Sequence, residues 1–183
     1  MILKFNSSRD GSGTEYSGQM QKISSDKVIV AINYGKMLEG SDYIDSCTIT
    51  AADLEGNDVT STMIEEFVTG NKVEGTATGG SLTTLEDTAT DFSAKGVTPG
   101  DHVLNSTQNF RFRVSRLYTG SNAFDTLEFK SDGVAVSASD AYKFLFSPTY
   151  VKAGTPGGAY IVTFTCTTAL GVFLTDKILV KVI

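Results

Sequence analysis

The chain has no tryptophan, one histidine, two cysteines and three prolines among its 183 residues. Each scarcity narrows the range of functions. Two cysteines and one histidine fall short of the four ligands a structural zinc takes, so no metal site is expected. Two cysteines also argue against a small secreted scaffold dense in disulfides. Basic residues are the minority: 15 Lys and Arg stand against 21 Asp and Glu, giving a net charge of -6. That balance weighs against non-specific nucleic-acid binding, which relies on cations neutralising phosphates. No apolar run approaches a membrane span, so no membrane partner is expected. Met1-Ile2-Leu3-Lys4-Phe5 is too short for the apolar core of a secretory leader and runs into Asn6-Ser7-Ser8-Arg9-Asp10. The expectation is a soluble chain made in a cytoplasm. Catalytic signatures are missing too. There is no Gly-x4-Gly-Lys-Ser/Thr phosphate loop and no Gly-x-Ser-x-Gly elbow.

What is present is β pattern throughout, with no stretch that reads as a long helix. Apolar residues make up 40% of the chain, enough for a packed core. Residues 1–26 are rich in Ser and Gly, notably at Asp10-Gly11-Ser12-Gly13, and read as an extended N-terminal arm. Its apolar start at Ile2, Leu3 and Phe5 suits pairing with a sheet edge, in this chain or a neighbour. Residues 27–32 form a β-branched strand. Residues 43–52 form another, with Cys47, Ile49 and Ala51 inward by period two. Residues 60–66 fit a short strand or a helical turn capped by Ser61. Residues 71–146 then look inserted: short strands recur at about ten-residue spacing, the signature of a small barrel. After Pro148 the long-strand pattern resumes. Tyr160, Val162, Phe164 and Cys166 share one face, and Ile178, Val180 and Val182 share one face of the last strand.

Several residues invite chemistry. His102 is the sole imidazole and would have to serve any Ser-His or Cys-His site; a hydrogen-bonded barrel histidine is the plainer reading. Asp53, Glu55, Asn57 and Asp58 gather oxygens in one turn. They lack the twelve-residue spacing of a calcium loop and read as a solvated turn. Glu65 and Glu66 are adjacent and point apart on a strand. Arg111, Arg113 and Arg116 alternate with Phe110 and Phe112, either as a small basic patch or as ordinary strand alternation. If that alternation runs on, Phe112, Val114 and Arg116 share a face. Tyr118, Phe124 and Tyr142 can stack on sugars or fill a barrel core. No catalytic constellation emerges, so no enzyme activity and no cofactor are expected.

Three segments carry a family resemblance. They are Cys47-Thr48-Ile49-Thr50-Ala51-Ala52-Asp53-Leu54-Glu55-Gly56-Asn57-Asp58-Val59-Thr60, then Gly154-Thr155-Pro156-Gly157-Gly158-Ala159-Tyr160-Ile161-Val162, then the strand 177–182. With the hairpin Thr167-Thr168-Ala169-Leu170-Gly171, this arrangement resembles immunoglobulin-like virion proteins of tailed bacteriophages. The segment Thr84-Leu85-Glu86-Asp87-Thr88, with Phe92, Gly96-Val97, Pro99-Gly100-Asp101 and Val103, resembles small β modules of phage structural proteins. The resemblance implies an all-β chain: an immunoglobulin-like β-sandwich (27–70 plus 147–183) split by an inserted small β-barrel-like domain (71–146). It implies that Tyr160 forms a tyrosine corner, its hydroxyl tied to nearby backbone. Cys47 and Cys166 would be either a bridge between facing sheets or two buried thiols. The implied role is non-enzymatic: a capsid decoration or cement protein, homo-oligomeric, bound to other virion proteins and located in the virion. The alternatives are a neck or tail component, or a host-surface or carbohydrate-binding adhesin.

Overall fold

A computed structural model describes residues 2–7, 16–118, 125–130 and 133–183. In chain order its strands are β1 (Ile2–Asn6), β2 (Gly18–Lys22), β3 (Val28–Asn33), β4 (Ile44–Asp53), β5 (Ile64–Glu66), β6 (Glu74–Thr76), β7 (Gly79–Gly80), β8 (Thr84–Glu86), β9 (His102–Asn105), β10 (Phe110–Tyr118), β11 (Thr126–Phe129), β12 (Ala141–Phe144), β13 (Phe146–Val151), β14 (Ala159–Thr168) and β15 (Phe173–Val182). Among the described residues the only helical pieces are α1 (Thr60–Met63) and a 3-10 turn (Thr69–Asn71), so the chain is all-β. Residues 60–66 are thus both things their sequence allowed, a helical turn and then a strand. Val59, not Ser61, stands at the helix N-cap. The chain divides into two compact units. One comprises Met1–Met37, Ile44–Lys72 and Ser147–Ile183; the other comprises Leu38–Tyr43 and Val73–Phe146.

The first unit is sandwich-like. Its two four-stranded sheets have the orders β1-β3-β13-β5 and β2-β15-β14-β4. The second sheet rests on three ten-residue strands, with β14 paired antiparallel to β15 on one side and β4 on the other. Period two governs what they bury. Tyr160, Val162, Phe164 and Cys166 of β14 are buried, as are Ile178, Val180 and Val182 of β15. On β4 the period breaks once. Ile44 and Cys47 are both buried although three residues apart, because a bulge shifts the register where Thr168 faces Ile44 and Thr167 faces Ser46.

The segment expected as an arm supplies an edge strand to each sheet. β1 runs parallel to β3, and β2 runs parallel to β15. The Phe5 ring lies against Gly18 so closely that a Cβ there would sit 1.9 Å from a ring carbon. Only glycine lets that ring cover the β2 backbone. The Ser7 and Ser17 hydroxyls both donate to the buried Asp176 carboxylate, at 2.6 and 2.5 Å. The stretch Asp10-Gly11-Ser12-Gly13 lies outside the described residues.

The second unit is one seven-stranded sheet in the order β6-β12-β9-β10-β11-β8-β7. It does not close into a barrel, which corrects the barrel-like expectation: its edge strands β6 and β7 are not hydrogen-bonded to each other. The chain nonetheless forces strong curvature. Seven flat strands would set their edges roughly 29 Å apart, whereas the three steps from Thr76 to Gly79 span at most about 11 Å. Ala77 and Thr78 bridge the gap, their amides bonding the carbonyls of Asp140 and Glu86. The concave side is filled by Phe92, Phe110, Phe112, Phe129, Tyr142 and Phe144, all buried, with Phe112 and Phe129 stacked at 4.0 Å.

Candidate functional site

The groups singled out in the sequence are placed apart, and most are occupied in holding the fold. Cys47 and Cys166 are bonded, and they sit directly opposite each other on adjacent strands of one sheet. Of the two readings, bridge or buried thiols, the structure has the bridge, and it links neighbouring strands rather than facing sheets. Alternation put both residues inward, but it could not say whether their strands were neighbours. Cys166 is fully buried, with the Tyr34 hydroxyl 3.3 Å from its sulfur. Burial, and then the charge of Asp176, push the Tyr34 hydroxyl well above its usual pKa.

Tyr160 is buried, and its hydroxyl accepts a hydrogen bond from the Thr155 amide at 2.9 Å. That bond holds the hydroxyl somewhat below its ordinary pKa. A Cβ on Gly158 would lie 2.8 Å from the same oxygen and 2.9 Å from the Thr155 carbonyl. The Tyr160 ring and hydroxyl thus tie the 154–158 turn to the start of β14.

The oxygen-rich turn spends its oxygens on itself. Asp53 accepts from the Glu55 and Asn57 amides and from the Asn57 side chain, all at 2.9 Å. Asn57 holds that exposed carboxyl below its usual range. Asp58 accepts from the Thr60 amide. Glu65 and Glu66 do diverge, Glu65 to Lys27 and Lys152 and Glu66 to the Gly70 amide. Among the described residues no group of three or more His, Cys, Asp or Glu side chains is placed to hold a metal.

On β10 the three arginines do three different things. Arg111 clamps the loop carbonyls of Leu38 and Asp42, and its half-burial lowers its pKa by desolvation. Arg113 donates from Nε to the Gly100 carbonyl at 3.1 Å. Arg116 lies over the Tyr118 ring, 4.7 Å from its centroid. The expected shared face for Phe112, Val114 and Arg116 does not form. A bulge between Val114 and Arg116 inserts Ser115 and turns Arg116 outward while Phe112 and Val114 stay buried.

Of the three aromatics named for stacking, Tyr142 is not available to a sugar. Tyr142 is buried and donates to Asp87 at 2.6 Å; burial, then that bond, push its hydroxyl far above its usual value. Tyr118 donates to Glu128, and Phe124 lies outside the described residues. His102 starts β9, pairs across the ladder with Arg113, and its carbonyl accepts from the Leu145 amide.

One surface was missed by the sequence reading. At the tip of the β14–β15 hairpin Leu170, Val172 and Phe173 are 71%, 50% and 76% exposed. The turn beneath them is fixed. The Thr168 amide bonds the Val172 carbonyl, the Gly171 amide bonds the Thr168 carbonyl, and the Thr168 hydroxyl accepts from the Val172 amide. Three large apolar side chains are therefore displayed in four positions at a hydrogen-bonded hairpin tip. Isolated apolar residues on a surface are ordinary; a cluster of three at one hairpin tip is a candidate contact surface. No family model matches the chain, and no curated protein matches it in sequence.

Proposed function

We propose that this chain is a non-enzymatic structural protein of a tailed-bacteriophage virion, built on an immunoglobulin-like sandwich and docked on the capsid shell as a decoration or cement protein. The strand grouping supports the immunoglobulin-like part. β1-β3-β13-β5 and β15-β14-β4 correspond to the A-B-E-D and G-F-C sheets of that fold, with β2 added beside the last strand. The second unit then enters as an insertion between the fourth and fifth strands of the core. Two features depart from the family pattern. β1 pairs parallel to β3, and the cysteines link neighbouring strands of one sheet.

The observation that carries the docking role is the Leu170, Val172 and Phe173 tip. Each such side chain contributes roughly 1.5–3 kcal/mol when taken fully out of water, so three together suit a modest contact multiplied over many copies. The shell protein is the occupant proposed for that tip.

The test is electron microscopy of particles from the source lysate, with quantitative mass spectrometry of the same fraction. A copy number matching the shell lattice supports decoration. A copy number matching a single ring moves the protein to the neck or tail, and none in the particle rejects the virion reading. A doubly substituted L170S/F173S chain that stays folded should no longer co-sediment with particles.

A further inference from the structure

One groove of the second unit brings two cations together. Lys143 pairs with Glu74 at 2.6 Å. Arg116 faces Glu128 across the β10–β11 ladder. Val114 and Phe129 are the last pair of that ladder, and Arg113, which precedes Val114, and Lys130, which follows Phe129, come together just beyond it on the wall of one groove. Both are exposed, and both point away from the face that buries Val114 and Phe129. Among the described residues neither makes an ion pair. Two like charges held close are destabilising, and this chain has acidic residues in excess with which to neutralise them.

The surroundings are concave. Arg113 and Lys130 line an open groove of about 530 Å³ with Pro99, Gly100, Val114 and Ser115. Ser115 is the bulged residue, and its hydroxyl donates to the Glu128 carbonyl at 2.9 Å, which fixes the groove floor. The guanidinium of Arg113 is anchored by Nε to the Gly100 carbonyl. Its terminal nitrogens keep the planar fork that grips a carboxylate or phosphate with two parallel bonds. Lys130 adds a compact second charge on the same groove wall.

We infer that the Arg113–Lys130 groove binds a small oxyanionic ligand, a carboxylate or phosphate group carried on a molecule of monosaccharide size. The bound anion offsets the like-charge repulsion that the free protein carries. The inference is independent of where the protein sits in a particle.

The test is an amide and Arg Nε NMR titration of the full chain with glucuronate, glucose 6-phosphate and glucose. Gly100, Ser115 and the Arg113 Nε are followed. The expected result is saturable shifts at these three groups with one or both acids and none with glucose. Glucuronate alone points to a carboxylate ligand, and glucose 6-phosphate alone to a phosphate. K130Q and R113Q should each weaken the interaction about tenfold, while R116Q, whose guanidinium lies over the Tyr118 ring beyond the bulge, leaves it unchanged. In thermal melts K130Q should raise the melting temperature of the free chain and abolish the rise produced by the acid. Failure of both acids to produce saturable shifts overturns the inference, as does an affinity in K130Q and R113Q unchanged from that of the native chain, or equal binding of glucose.

Discussion

The two units reach stability by different routes. The first has long strands: β4, β14 and β15 are ten residues each and pair nearly end to end. Its register is set repeatedly along that length, and Cys47–Cys166 adds a covalent tie across it. In the second unit only β10 exceeds four residues, and β7 has two. Ladders that short fix little by themselves. Buried carboxylates organise the turns instead. Asp140 accepts from the Asn105 and Gln108 side chains and the Ser137 amide, Asp101 from the amide and hydroxyl of Thr98, and Asp87 from Tyr142 and the Ala89 amide. A buried charge is costly unless its lone pairs are used, and here they are used by the turns that the short strands cannot hold. Long strands thus specify their own pairing, while short ones need polar anchors around an aromatic centre.

The sharpest way to break this contrast is at the aromatic centre. Phe92 is fully buried, with Tyr142 and Phe144 rings both 5.8 Å away. Phe92→Ala should destabilise the second unit by about 3–5 kcal/mol. Hydrogen exchange should then show β9–β12 amides exposed while β14 and β15 stay protected. Loss of protection in both units together would mean that they are one cooperative body and the contrast is only descriptive.

Next in size is the covalent tie. Reduction, or replacing Cys47 and Cys166 with alanine, should cost about 2–4 kcal/mol in the first unit alone. The sequence separation is 119 residues, but the closed loop is effectively shorter. The folded second unit brings its ends together, with the Phe144 amide on the Val73 carbonyl. A denaturation midpoint unmoved by reductant would show that the thiols are not paired in solution.

The same contrast explains what could be read from the sequence. Alternation over residues 159–168 and 173–182 is long enough to declare one buried face, and Tyr160, Val162, Phe164, Cys166, Ile178, Val180 and Val182 all lie on it. Asp176 lies on that face too, yet an isolated Asp near a turn reads as solvated. Its donors, Ser7 and Ser17, are far away in the chain. Edge pairing at Ile2, Leu3 and Phe5 was legible, but the partner of β1 and the whole of β2 were not, because parallel pairing with β3 and β15 leaves no local turn signal. Apolar character at Leu170, Val172 and Phe173 could not say that the hairpin would leave them exposed at its tip. The Arg113–Lys130 pairing depends on a bulge and a register, and neither is visible in composition or period.

A smaller effect probes the turn that opens β14. Gly158→Ala should cost about 1–3 kcal/mol by overpacking, because the new methyl meets the Tyr160 hydroxyl and the Thr155 carbonyl within 3 Å. Gly158→Ala combined with Tyr160→Phe removes one of the two clashes. It should therefore cost less than the sum of the single changes, as measured by urea unfolding. Strict additivity would show that the turn and the ring are not coupled.

The smallest expected effect lies on the surface. Asp53 is exposed, and its carboxyl is held below the ordinary aspartate value by the Asn57 side chain first and by the Asn57, Glu55 and Gly56 amides. A folded-state pKa that is depressed means the ionised form favours the fold. That contribution is present above the ordinary value of about 3.9 and is lost as pH falls through the depressed one. Acidification into that window should therefore lower the melting temperature of the native chain more steeply than that of D53N. The asparagine cannot titrate and keeps much of the turn's geometry. The difference should appear in the β4–β14 amides and leave the second unit untouched, because the turn closes on Ala51 and Thr60. Parallel melting curves for the two chains across that window would mean that solvent screens the turn completely, leaving its bonds with a role in shape alone.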